Sequence, residues 1–181
     1  MRLKNKHAQV WIETVIYTLI ALTMSGAFLA VAKTKLEQMQ DKSIIEDTVK
    51  VLEEMNTIIL DVKKVSGNQR VFDLGIKKGD LTFDADNEKI FFEIESKYKY
   101  SQPGETIKSV SVNILTEELS SKKDYKIFLT LDYPNEDLRL NNSAGGSGKK
   151  KITKASSLYK ITIVNKGKSG DERTILEFEV S

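Results

Sequence analysis

The sequence predicts an α+β protein in which one long N-terminal helix packs on a largely antiparallel, β-sandwich-like C-terminal domain. An apolar run extends from Val10 to Ala32, a stretch with apolar residues every three or four positions follows it, and the rest of the chain holds short segments rich in Val, Ile, Phe and Tyr. Apolar spacing of three and four is typical of helices, and short β-branched segments are typical of strands. We therefore expect four parts: residues 1–8, a basic leader; 9–32, a hydrophobic helix; 33–67, its amphipathic continuation; and 68–181, a β-rich head domain.

The apolar run is long enough to cross a bilayer, since a single transmembrane helix needs about 20 apolar residues. Glu13 is the only charged residue between Val10 and Ala32. A carboxylate at the bilayer centre costs roughly 2.5–3.5 kcal/mol on insertion scales, and such residues usually mark a functional partner. Glu13 is therefore a candidate functional residue.

Four small residues in the run are candidate sites of helix packing. Ala21 precedes Ser25 by four positions, and Gly26 precedes Ala30 by four. Small residues at this spacing share a helix face and let two backbones approach closely in lipid or in a dry bundle. Ala and Gly are also common in membrane spans generally, so packing sites and plain composition both stay open at this stage.

The first eight residues, MRLKNKHA, carry three basic side chains and no acid, and they end in the small residue Ala8. A cut after Ala8 would make Gln9 the first residue and Glu13 the fifth. This arrangement resembles the archaeal type IV pilins, whose short basic leader (a class III signal peptide) ends in a small residue and is cut before a Gln, with a Glu at the fifth mature position and a hydrophobic helix beyond. The resemblance covers about the first third of the chain.

The resemblance implies a structural protein, not an enzyme. It implies a precursor inserted in membrane lipid, cleavage between Ala8 and Gln9 by a prepilin-type peptidase, and assembly by a pilus ATPase and a membrane platform protein. The product would be an extracellular filament at the cell surface, a helical homopolymer with the long helix in its core. Within such a polymer Glu13 would pair with the Gln9 amine of a neighbour, and breaking a buried pair costs about 3–5 kcal/mol, so this contact would select the register.

Two other interpretations of the N-terminus stay open. The chain would be a secreted β-domain protein if a signal peptidase cut after Ala30-Val31-Ala32, although the apolar core of a signal peptide is usually only about 7–15 residues long. It would be a single-pass anchored protein if it kept its leader, whose basic residues also fit the positive-inside rule. In either case it would be a binding protein that does not polymerise.

The stretch after Ala32 predicts an amphipathic helix with one apolar face. The face is predicted to contain Ile45, Thr48, Leu52, Met55, Ile59 and Val62. Such a stripe favours packing against a sheet. We expect the helix to end near Ser66-Gly67-Asn68, where Gly67 can take the left-handed conformation of a C-terminal cap.

Seven strands are expected in the head domain. They are Arg70 to Ile76, Asp80 to Asp84, Lys89 to Lys97, Ile107 to Ile114, Tyr125 to Tyr133, Leu158 to Val164 and Thr174 to Val180. In the fourth, Val110, Val112 and Ile114 should share one face. The Gly, Ser and Lys content of residues 134–157 predicts a mobile loop, and Asn141-Asn142-Ser143 within it makes Asn141 a candidate glycosylation site.

Composition excludes several classes of site. The chain has 28 Lys and Arg against 26 Asp and Glu, and three of the basic residues lie in the leader, so we expect no nucleic-acid partner. It has no Cys, and its only His is His7 in the leader, which excludes thiol nucleophiles and the usual zinc sites from the processed chain. Asp84, Asp86 and Glu88 loosely resemble a calcium loop but lack its Gly, so a hairpin turn is the favoured interpretation. No metal or cofactor is expected.

Overall fold

The computed structural model describes residues 6–119, 124–141 and 147–181, with side chains from residue 10 onward. It divides into two compact units, Met1–Met39 and Gln40–Ser181. One helix, α1, spans Lys6–Lys63 and contributes to both. The predicted leader residues 1–5 lie outside the described residues.

Helix α1 forms because residues 6–63 contain no Pro and a single Gly, so nothing interrupts the backbone hydrogen bonds. The chain leaves the helix at Lys63, and Gly67 has a φ of 81°. The predicted left-handed glycine after the helix is therefore confirmed. The Gly67 amide donates to the carbonyl of Asn165 at 2.8 Å, so it ties the helix end to a strand instead of closing on the helix itself.

Ten strands occur in the described part of the chain, and they confirm the predicted α+β class. They are β1 Gln69–Leu74, β2 Asp80–Asp84, β3 Lys89–Ser96, β4 Thr106–Ser109, β5 Val112–Leu119, β6 Asp124–Asp132, β7 Glu136–Leu140, β8 Lys149–Thr153, β9 Tyr159–Lys168 and β10 Thr174–Val180. They form a four-stranded sheet in the order β1-β9-β10-β7 and a six-stranded sheet in the order β4-β5-β6-β3-β2-β8. Every pair is antiparallel except β7 with β10.

The core of the second unit joins the C-terminal half of α1 to both sheets. Ile45, Leu52, Met55, Ile59 and Val62 on the helix are fully buried, which confirms the predicted apolar face. Val49 is also buried, whereas the predicted face member Thr48 is only half-buried and donates its hydroxyl to the Ile44 carbonyl. The two sheets meet where the rings of Phe83 and Phe178 lie 5.4 Å apart.

Two expectations about the head domain were wrong. The predicted strand from Ile107 to Ile114 is a hairpin, because the chain turns at Val110 and Ser111 between β4 and β5. Val110 is exposed, while Val112 and Ile114 are buried. Residues 134–157, predicted as one mobile loop, contain β7 and β8, which pair with strands distant in sequence.

Candidate functional site in the apolar helix

The N-terminal half of α1 exposes apolar side chains on every side. Between Val10 and Val31, thirteen large hydrophobic residues are at least 40% exposed, among them Trp11 at 70% and Leu22 at 73%. The segment is long and apolar enough to cross a membrane. None of the residues in its most apolar 18-residue stretch is buried within the protein. Helices that are apolar on all sides are stable only when lipid or other protein surrounds them. This segment is the candidate functional site.

The threonine hydroxyls of the segment are satisfied by the helix itself. Thr14 donates to the Val10 carbonyl at 2.9 Å, Thr18 to the Thr14 carbonyl at 3.0 Å, and Thr23 to the Ile20 carbonyl at 2.8 Å. Such bonds to the preceding turn remove the cost of placing a hydroxyl in an apolar medium. These threonines are therefore compatible with lipid or with a dry helix bundle.

Glu13 differs from these residues because its carboxylate cannot be neutralised by a backbone carbonyl. It lies one turn from Tyr17 on the exposed helix, and no ion pair to it occurs within the described residues. A carboxylate on such a surface requires either the edge of the apolar medium or a cation from another molecule. Any cation that pairs with Glu13 must therefore come from outside the side chains that the structure describes.

The four small residues singled out in the sequence all lie exposed on α1. A Cβ atom added to Gly26 would meet nothing within 4 Å, so contacts within its own chain do not explain this glycine. Ala21 and Ser25 share one face, and so do Gly26 and Ala30, because side chains four apart lie above each other on a helix. Helix-packing sites stay a prediction for these residues.

The predicted processing residues Ala8 and Gln9 lie in the first turns of α1, where the helix backbone is described. Their side chains, and the five residues that begin the leader, are outside the described part. A contact between the side chains of Gln9 and Glu13 is therefore outside what the structure describes, and the cleavage site stays a prediction.

Comparison with protein families, with curated proteins and with solved structures found no match to this chain.

In the second unit, polar side chains attach the C-terminal half of α1 to the sheets. Asp41, buried on the helix, accepts hydrogen bonds from Lys78 at 2.5 Å and from the Lys97 amide at 2.7 Å. Tyr133 donates its hydroxyl to Asn56 at 2.9 Å, and burial raises the pKa of this phenol, which keeps it a neutral donor. These contacts hold the helix from its first turn in this unit onward.

The end of the helix is capped by a residue that sequence reasoning missed. Asn165 on β9 is 3% exposed, and its amide nitrogen donates to the carbonyls of Val62 at 3.2 Å and Lys63 at 3.1 Å. Its side-chain oxygen accepts the Gly167 amide at 2.8 Å. The only sign in the sequence was the strand alternation, which places polar Asn165 on the same face as Ile161 and Ile163.

The acidic turn after β2 is a hairpin, as predicted. Asp84 accepts the Asn87 amide at 3.1 Å and pairs with Lys149 at 2.7 Å, and Asp86 accepts the Gly148 amide at 2.9 Å. Burial alone would raise the pKa of Asp84, but the hydrogen bonds from Lys149 and Asn87 outweigh it and lower that pKa. Within the described residues no group of three His, Cys, Asp or Glu side chains is placed to hold a metal ion.

The candidate glycosylation residue Asn141 is exposed immediately after β7, and its backbone amide donates to the Phe178 carbonyl at 3.0 Å. The two other residues of its sequon lie outside the described residues. An asparagine on such a surface is accessible for modification, and its use stays a prediction.

Proposed function

We propose that this protein is a structural subunit of an archaeal type IV pilus-like surface filament. It is made as a membrane-inserted precursor, processed between Ala8 and Gln9, and assembled through its N-terminal helix. The observation that carries the proposal is an apolar helix, exposed on all sides, with a single carboxylate near its start. Lipid covers this surface before assembly, and the helices of other subunits cover it afterwards.

Assembly gives Glu13 a role that a simple anchor does not. Cleavage before Gln9 creates a free amine four residues from Glu13, and a neighbour displaced along the helix axis brings that amine to the carboxylate. Because an unpaired buried charge is strongly unfavourable, the pair selects one displacement among many apolar ones. A dedicated peptidase, an assembly ATPase and a membrane platform protein are the partners that this route requires.

The alternative is a membrane-anchored or secreted β-domain protein that does not polymerise. The same exposed helix supports an anchor, since length and apolar character suffice for one. The identity of the first residue separates the cases, and mass spectrometry of the terminal peptide from native membranes or cell surfaces measures it. We expect Gln9; an intact Met1 supports the anchor, and Lys33 supports secretion.

A pair of substitutions on the same helix tests the role of Glu13. We expect Glu13→Gln to keep membrane insertion and processing but to reduce filament yield, because the neutral amide no longer pairs with the terminal amine. Glu54→Gln, which removes an exposed carboxylate from the amphipathic half, is the matched control and should assemble like the parent. Equal filament yield from Glu13→Gln and the parent would refute the proposed pairing.

A further inference from the structure

The hairpin between β4 and β5 carries an unusual residue at its tip. Ser109 pairs with Val112, which leaves Val110 and Ser111 as a two-residue loop. Val110 has a φ of 49° and is 83% exposed. Glycine is the usual residue where such a loop needs a positive φ, and a β-branched residue there is a true outlier. Strained backbone is concentrated at functional sites, so this exposed valine is a candidate contact residue.

A shallow groove of about 340 Å³, with three apolar and six polar or charged lining residues, lies on the outward face of the six-stranded sheet. Its apolar lining consists of Phe91, Leu115 and Phe128, all only half-buried. These side chains are neighbours because Leu115 is opposite Phe128 in the pairing of β5 with β6, and Phe91 is opposite Thr130 on the next strand. Most outward positions of a solvated sheet face are polar, so this apolar group indicates a contact surface.

The hairpin tip and the groove carry complementary charges. Lys108, two residues before Val110, is exposed, and Glu117 lies at the rim of the groove. Neither makes an ion pair within the described residues, whereas Asp132 in the groove pairs with Lys89 at 3.4 Å. Lys108 beside the exposed Val110 side chain and Glu117 beside the groove carry opposite charges, and opposite charges attract across an interface.

We propose that the Val110 hairpin tip of one subunit docks into the Phe91-Leu115-Phe128 groove of a second copy of this chain, with Lys108 of the first near Glu117 of the second. The tip and the groove are different surfaces, so the contact is heterologous, and within a helical filament it repeats from copy to copy. This inference rests on the proposed filament function and deepens it, because it adds a contact between head domains to the contact between helices.

Cysteine cross-linking of the full chain in its filaments tests the contact directly, since the chain has no Cys of its own. Val110→Cys combined with Thr130→Cys, which lines the groove, should give a ladder of disulfide-linked dimers, trimers and longer chains on oxidation. Neither single variant should give a ladder. Val71→Cys with Thr130→Cys is the matched control, because Val71 is another exposed valine, 56% exposed, at a different edge of the domain.

Charge reversal provides a second test. Lys108→Glu and Glu117→Lys should each lower the fraction of subunits in filaments by up to about fivefold, the strength of an exposed ion pair, and the double reversal should restore it. Val110→Gly should also lower the fraction of subunits in filaments. Its unfolding midpoint should be unchanged or higher, because glycine accepts the positive φ.

The outcomes separate this contact from the filament proposal. If the parent forms filaments from chains that begin at Gln9, but the Val110 and Thr130 cysteines give no ladder, the docking contact is refuted and the filament function stands. Dimers from Val110→Cys alone would also refute it, since they indicate a two-fold contact. If the parent never polymerises, both proposals fail.

Discussion

Replacement of Asn165 by Ala tests how the end of α1 is held against the β domain. The side chain is almost fully buried and makes three hydrogen bonds, two to the last helix carbonyls and one from the Gly167 amide. Each such bond contributes about 0.5–1.5 kcal/mol, and a buried group left without a partner costs about 1–3 kcal/mol. The Lys63 side chain is exposed, so water reaches part of this site, and we expect a loss of about 2–4 kcal/mol in the free energy of unfolding.

Urea unfolding of the full chain in detergent, followed by circular dichroism, measures this loss. At about 2–4 °C per kcal/mol, the melting temperature should fall by roughly 5–15 °C. Asn165→Asp should be at least as destabilising, because it keeps the acceptor for Gly167 but loses both donors and places a negative charge at the helix C-terminus. Lys168→Ala, an exposed position on the same strand, is the control. A change for Asn165→Ala within about 0.5 kcal/mol, the range of ordinary surface substitutions, would refute the capping role.

Three further predictions concern the same domain. Leu52→Ala should destabilise the protein by about 2–5 kcal/mol in urea unfolding because Leu52 is fully buried, whereas Leu60→Ala, at a position 48% exposed, should change it far less; equal effects would contradict the assigned helix face. Hydrogen bonds from Ser169 and Arg173 lower the pKa of Asp171 from 3.8 to about 2, so its ionised form stabilises the fold above pH 3.8 and that contribution is lost as the pH falls toward 2. Unfolding measured across this window should therefore depend less on pH in Asp171→Asn than in the parent, and identical pH profiles would refute the assignment. Mass spectrometry of chains from the native surface should find a glycan on Asn141 that Asn141→Gln lacks, and an unmodified peptide would exclude that use of the sequon.

The two errors made from sequence arise where local pattern and distant pairing disagree. Alternation of apolar residues continues across Val110, Val112 and Ile114, and the turn lacks the Asn-Gly or Asp-Gly pair that marks most two-residue hairpins. The local pattern therefore predicts one strand where the chain reverses. Strand β7 was missed because its five residues lie between Pro134-Asn135 and a sequence rich in Gly and Ser, and its partner in parallel pairing, β10, is far along the chain.

The amino-acid sequence by itself determined the features that depend on neighbours along the chain. The apolar run with its single Glu13, the buried face from Ile45 to Val62, the positive φ at Gly67 and the hairpin after Asp84 all follow from local spacing and side-chain chemistry. Only the tertiary structure decided the features that depend on distant pairing: Asn165 beneath the helix end, the strained Val110 at a hairpin tip, and the groove on the six-stranded sheet. Side-chain periodicity reports which face of an element is buried, but it does not report which other element covers that face.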